Sequence, residues 1–174
     1  SHKRTTASVV TTREIAASTL VAEGCWKGKV NHSVQVCGAI QLPDRILRIV
    51  PYVLGAWLGD GSSGGAGLTS ADEFVVQQMV ANGITVTKRA SKYAYGLTGG
   101  LQTALRELGL LLNKHIPSNY LRGSYRQRLA LLQGLMDTDG HVTNYGRCEF
   151  TSTNKSLADG VYELVTSLGI QAKC

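Results

Sequence analysis

Val53-Leu54-Gly55-Ala56-Trp57-Leu58-Gly59-Asp60-Gly61 and Leu132-Gln133-Gly134-Leu135-Met136-Asp137-Thr138-Asp139-Gly140 share one pattern: an apolar helical run with small residues four apart that closes on Asp-Gly. Small residues at that spacing let two helix backbones approach closely, so Gly55 and Gly59 are expected to pack against Gly134 and Thr138. Helices paired that way bring Asp60 and Asp139 together at one end. A carboxylate at a helix C-terminus opposes the macrodipole, and two side by side repel, unless a cation sits between them. Hard divalent metals meet that need through carboxylate, carbonyl and water oxygens. Asp60 and Asp139 are the candidate ligands, with the carbonyls of Gly59 and Thr138 as lesser ones. One Asp-Gly end alone would be an ordinary C-cap with a left-handed glycine. Two such ends with matched small residues favour the metal reading.

The 174 residues carry 18 Lys and Arg against 12 Asp and Glu, a formal charge of +6. That length holds one ordinary domain or two small repeats, and the two aspartates lie a little under half the chain apart, as half-domain repeats require. The basic balance favours a polyanionic partner, although many basic proteins never touch nucleic acid. Cys25, Cys37, Cys148 and Cys174 show no CxxC pair and no Cys/His ligand spacing, so neither a structural zinc nor a disulfide is expected. With no bilayer-length apolar stretch and no signal peptide, free thiols in a reducing cytoplasm are the expectation.

Outward from the two motifs, the chain reads as a mixed α+β sequence. Thr11-Thr12-Arg13-Glu14 has capping-box spacing ahead of a short helix from Ile15 to Val21. Val30 to Ala39 alternates in part, and Pro43-Asp44 marks a turn. After Gly61 a glycine-rich stretch leads to a strand ending near Ser70. Ser70 caps a helix over 71–82 whose apolar positions are Phe74, Val75, Met79 and Val80. A hairpin over 85–89 and 93–98 turns at Ser91, and a helix over 101–112 carries Leu101, Leu105, Leu108 and Leu112 on one stripe. The second motif is followed by a strand over 141–151 and a helix from Asn154 or Ser156 to Leu168. Gly59-Asp60-Gly61-Ser62-Ser63-Gly64 fits GxGxxG as a string but follows a helix, which removes the dinucleotide reading. Asp137-Thr138-Asp139-Gly140 fails as a calcium loop because His141, Val142 and Cys148 fall where ligands and a glycine are required.

The paired motifs, with Lys114-His115-Ile116-Pro117 between them, resemble the LAGLIDADG homing endonucleases, and more narrowly the dodecapeptide-type endonuclease domains of inteins. Val10-Thr11-Thr12-Arg13-Glu14-Ile15 and Pro51-Tyr52-Val53-Leu54-Gly55 are most similar to inteins of bacterial replicative DNA helicases. Leu58 departs from the pattern where an acid is often found, while the final acid, Asp60, is present. The resemblance implies an α+β pseudo-two-fold repeat, αββαββα, whose sheets form a saddle over DNA. On that plan 1–50 is a linker from the splicing domain, 51–118 the first repeat and 119–174 a second repeat that stops short.

The implied activity is site-specific hydrolysis of double-stranded DNA with Mg2+ or Mn2+ held by Asp60 and Asp139, and with Lys114 supporting catalysis. The splicing domain and host protein would be covalent partners. Lys88, Arg89, Lys92, Tyr93 and Tyr95 in the hairpin, and Arg122, Arg126 and Arg128 before the second motif, are candidate DNA contacts. Lys27, Lys29, Arg45 and Arg48 are weaker ones. Against self-splicing stand Ser1-His2-Lys3-Arg4 at the start, no Thr-x-x-His block and no His-Asn terminus. A DNA-binding remnant that no longer cuts is the alternative, separable by metal-dependent nicking.

Overall fold

The computed structural model describes residues 11–17 and 37–173, in two units, Ser1–Cys37 and Gly38–Cys174. In the first, α1 (Thr12–Ala17) starts at a reciprocal cap. The Thr11 hydroxyl accepts from the Glu14 N–H, and the Glu14 carboxylate accepts from Thr11. The extension of that helix to Val21, the alternation from Val30 to Val36, and Cys25, Lys27, Lys29 and Cys174 lie outside the described residues.

The second unit contains α2 (Pro51–Asp60), β1 (Gly67–Thr69), α3 (Glu73–Ala81), β2 (Val86–Lys88), β3 (Ala94–Leu97), α4 (Leu101–Glu107), α5 (Ser118–Leu121), α6 (Tyr125–Asp139), β4 (Gly140–Val142), β5 (Cys148–Phe150) and α7 (Lys155–Ser167). It is an α+β unit with two small antiparallel sheets, ordered β1-β3-β2 and β4-β5. No helix among the described residues is long and apolar enough to cross a membrane.

The most extensive packing joins α2 to α6. A Cβ added at Gly55 would lie 2.2 Å from the Leu131 carbonyl, and one at Gly134 would lie 2.2 Å from the Tyr52 carbonyl. Each glycine therefore faces the residue three positions before its partner's glycine. At the far end a Cβ on Gly59 would meet the Thr138 hydroxyl at 2.1 Å. This contact is backbone on backbone, and its flanks are closed by Leu54, Trp57, Leu131 and Leu135, all buried. Around the pair, Leu68, Val75, Met79, Leu105, Leu110 and Leu164 complete one core. α2 is buried from Tyr52 to Leu58 because the seam takes one side and the first sheet with α3 takes the other.

Several local readings need correction. The helix after Ser70 is capped by Asp72, whose carboxylate accepts from the Phe74 N–H, while the Ser70 hydroxyl accepts from the Asp72 N–H. Only Val75 and Met79 of its apolar set are buried, and Phe74 and Val80 face solvent. The helix over 101–112 stops at Glu107, because Gly109 and Leu112 take positive φ, and Leu112 is exposed instead of completing a leucine stripe. The single strand over 141–151 is a hairpin, turned at Asn144-Tyr145-Gly146, with Gly146 at φ 74° and Thr143 N–H bonded to the Arg147 carbonyl.

Residues 38–50 have no regular structure, and side chains satisfy their peptides. The Gln127 carboxamide accepts from Arg45 N–H and donates to the Arg45 carbonyl, while also closing the capping box that starts α6 at Ser124. The Tyr120 hydroxyl does the same for both peptide groups of Ile49. Arg128, proposed from sequence as a phosphate contact, is fully buried and donates to the carbonyls of Gly123, Ser167 and Ile40.

Gly134→Ala should cost about 2–3 kcal/mol, since its Cβ meets backbone that has no rotamer to escape into. Gly64→Ala, where nothing lies within 4 Å, should stay within about 0.5 kcal/mol. Urea midpoints of the two variants check the difference.

Candidate active site at the helix seam

α2 and α6 end alike. Gly61 (φ −73°, ψ 150°) and Gly140 (φ −82°, ψ 150°) are extended, and their N–H groups bond to the carbonyls of Trp57 and Met136. Neither is the left-handed cap that an Asp-Gly end predicts. Glycine is required for another reason: a Cβ at either position would stand 2.2 Å from the carbonyl that its own N–H contacts. The chain therefore leaves each helix tightly against its last turn and carries the preceding aspartate to the end of the seam.

Asp60 and Asp139 are both half-buried there, and burial raises both carboxyls above the ordinary carboxylate range. The charge of Asp139 pushes Asp60 further up, and the ammonium of Lys114 pulls both back. Lys114 is itself depressed by burial and partly restored by the two aspartates. Its Nζ donates to the carbonyls of Leu58 and Gly59 at 2.9 Å and of Gly61 at 2.7 Å, and lies 5.2 Å from the centre of the Trp57 ring. These are orphan carbonyls of a helix C-terminus, where a cation is favoured. The Gly59 carbonyl, a candidate lesser ligand, is thus already accepting from Lys114.

Two carboxylates against one ammonium leave the site with an excess of negative charge. Among the described residues no third His, Cys, Asp or Glu joins them. The donor set suits a hard divalent ion that takes few protein oxygens and completes its shell with water or phosphate, as Mg2+ does.

The remaining candidates divide by place. On the first sheet, Gly67 pairs with Gly96 and Gly96 with Thr87, so two adjacent positions of one face carry no side chain. The Arg89 guanidinium lies across those two glycines, about 3.5 Å from where each Cβ would be, at the rim of a pocket of about 420 Å³ shared with Ser62 and Gln102. Lys88 points to the other face, where its ammonium lies over Tyr95 and donates to the Tyr95 hydroxyl and the Lys92 carbonyl. Lys92 lies over Tyr93. Arg122 pairs with Glu163, and Arg48 with Glu107. Arg126 is in the first turn of α6, about 20 Å along the axis from Asp139 at 1.5 Å per residue. The fold does not bring Arg122 or Arg126 to the carboxylate end.

Sequence reasoning missed Tyr52 and Asp137. The Tyr52 hydroxyl donates to the Asp137 carboxylate at 2.8 Å across the seam, and burial holds that hydroxyl well above its ordinary range. Leu58, buried, occupies the position in the first motif that Asp137 holds in the second. A hydroxyl just before one motif and an acid in the other was the available signal.

A family model described as a LAGLIDADG-like domain matches residues 126–174, which run from the first turn of α6 through α7. Those residues form a LAGLIDADG-like domain. Over 172 residues, 99% of its length, it is 44% identical to a protein named replicative DNA helicase DnaB from Mycobacterium intracellulare, and it spans 28% of that relative's length.

The raised carboxyls give a stability test with a definite sign. A group whose pKa is higher folded than unfolded favours folding while protonated, and loses that contribution as pH rises through the folded value. Metal-free protein should therefore be less stable at pH 7 than its core alone implies. Asp60→Asn should raise Tm at pH 7 without metal, and the gain should vanish below the ordinary carboxylate range. Added Mg2+ should raise the Tm of the parent but not of Asp60→Asn. Calorimetry at two pH values, with and without the ion, reads both effects.

Proposed function

We propose that this chain is the endonuclease part of an intein lodged in a bacterial replicative DNA helicase, and that it cleaves double-stranded DNA in the cytoplasm. The carrying observation is the convergence of Asp60, Asp139 and the Lys114 ammonium at one end of the α2–α6 seam. The LAGLIDADG match and the identity to a helicase, of which the chain spans a minor part, support it.

In this reading Asp60 and Asp139 would hold Mg2+ or Mn2+, with the Thr138 carbonyl as a further donor. The ion, when bound, neutralises charge at the phosphodiester and acidifies water for the attack. Lys114, its three donors held by the carbonyls of Leu58, Gly59 and Gly61, keeps its positive charge beside the two aspartates and stabilises by proximity the negative charge that grows on the phosphate in the transition state. The β1-β3-β2 face takes the duplex backbone, with Arg89 over the Gly67–Gly96 pair and with Lys92 and Tyr93 at the hairpin turn. Lys88 contributes from the hairpin edge. Arg122 and Arg126, at the opposite end of α6 from Asp139, meet phosphates away from the carboxylates.

A plasmid carrying an uninterrupted replicative helicase gene should be linearised by the purified protein in Mg2+ and left intact in chelator. Asp60→Asn and Asp139→Asn should each slow cutting by about 100-fold or more, with DNA affinity in gel shifts within about threefold of the parent. Undiminished cutting by either variant would overturn the assignment. Tight binding by the parent with no cutting would make the chain a DNA-binding remnant.

A further inference from the structure

We propose that Asn154 is a positioning residue for Lys114: its carboxamide ties the N-terminus of α7 to the peptide from which the Lys114 ammonium reaches the end of α2. The proposal rests on the nuclease reading of that site. The Asn154 Oδ1 caps α7 by accepting from the Leu157 N–H at 3.2 Å, while its Nδ2 donates to the Lys114 carbonyl at 2.7 Å. One side chain thus serves a helix in the second half and a functional residue of the first.

A second contact from α7 acts on the same stretch. Gly160 sits in the middle of that helix, where glycine costs about 1 kcal/mol relative to alanine. A Cβ there would stand 3.3 Å from the Ile116 side chain, which is buried. Asn154 and Gly160 lie six residues apart on α7 and grip the chain at Lys114 and Ile116, on either side of His115. The Lys114 stem has four rotatable bonds. Fixing its peptide sets how far and in which direction the ammonium reaches past Leu58, Gly59 and Gly61.

A plain N-cap would need only the oxygen of Asn154, because Ser and Asp cap as well as Asn does. The Nδ2 bond is the part that a capping role leaves unexplained, and it can be removed separately. Asn154→Ser and Asn154→Asp each keep a capping oxygen and lose the amide donor.

The test uses Trp57, over whose ring the Lys114 ammonium lies, as a reporter that needs neither DNA nor metal. In a Trp26→Phe background, Asn154→Ser and Asn154→Asp should shift Trp57 emission in the same direction as Lys114→Met does, with the far-UV helical signal unchanged. On cleavable DNA, kcat should fall about tenfold while KM stays within about twofold, the mark of misplaced catalytic help rather than weaker binding. Emission identical to the Trp26→Phe parent in both variants would overturn the proposal and leave Asn154 a helix cap. If the parent cuts no DNA, the nuclease reading fails by itself, and the emission shift still decides whether Asn154 places Lys114.

Discussion

The structure depends on the meeting of two helix backbones at Gly55 and Gly134. Each glycine stands where any side chain would run into a carbonyl of the opposite helix, so the separation of α2 and α6 is fixed by main-chain atoms, which cannot change rotamer. That fixed separation sets the rest. Side chains of α2 are buried all round because the seam is closed, and the Tyr52–Asp137 bond spans the gap at hydrogen-bonding distance.

The same closeness creates an electrostatic conflict at the end of the seam. Two half-buried carboxylates lie side by side at the negative ends of two helix dipoles, and one ammonium, spread over three carbonyls, answers only part of the charge. A protein selected for stability alone would remove an aspartate. Keeping both is understandable where a divalent cation is the missing partner, and strain of this kind concentrates at functional sites.

Arg128 shows a contrasting solution. Its guanidinium is buried without a carboxylate, and carbonyls from three places take its donors: the turn before α6, the end of α7 and the segment before α2. The Ser167 carbonyl belongs to a helix C-terminus, which favours a cation. With Gln127 and Tyr120 it holds 38–50 along the start of α6 without a single ladder of strand hydrogen bonds. Composition marks Arg128 as one more basic residue near a motif. Nothing local distinguishes a guanidinium that meets phosphate from one that meets carbonyls, because the carbonyls come from positions about 40 and 90 residues away.

What the sequence by itself determined is the pair of motif helices, their close packing and the aspartates at their ends, since small residues at fixed spacing and a terminal Asp-Gly are local and periodic features. The hairpin at Ser91 and the helices starting near 73, 101 and 155 were legible for the same reason. Tertiary structure alone decided the extended form of Gly61 and Gly140, the burial of Arg128, the face on which Lys88 lies and the hold of Asn154 on Lys114. Each depends on which distant carbonyl or ring arrives beside a side chain. Periodicity shows the face a residue takes on its own element; it does not show what the rest of the chain brings to that face.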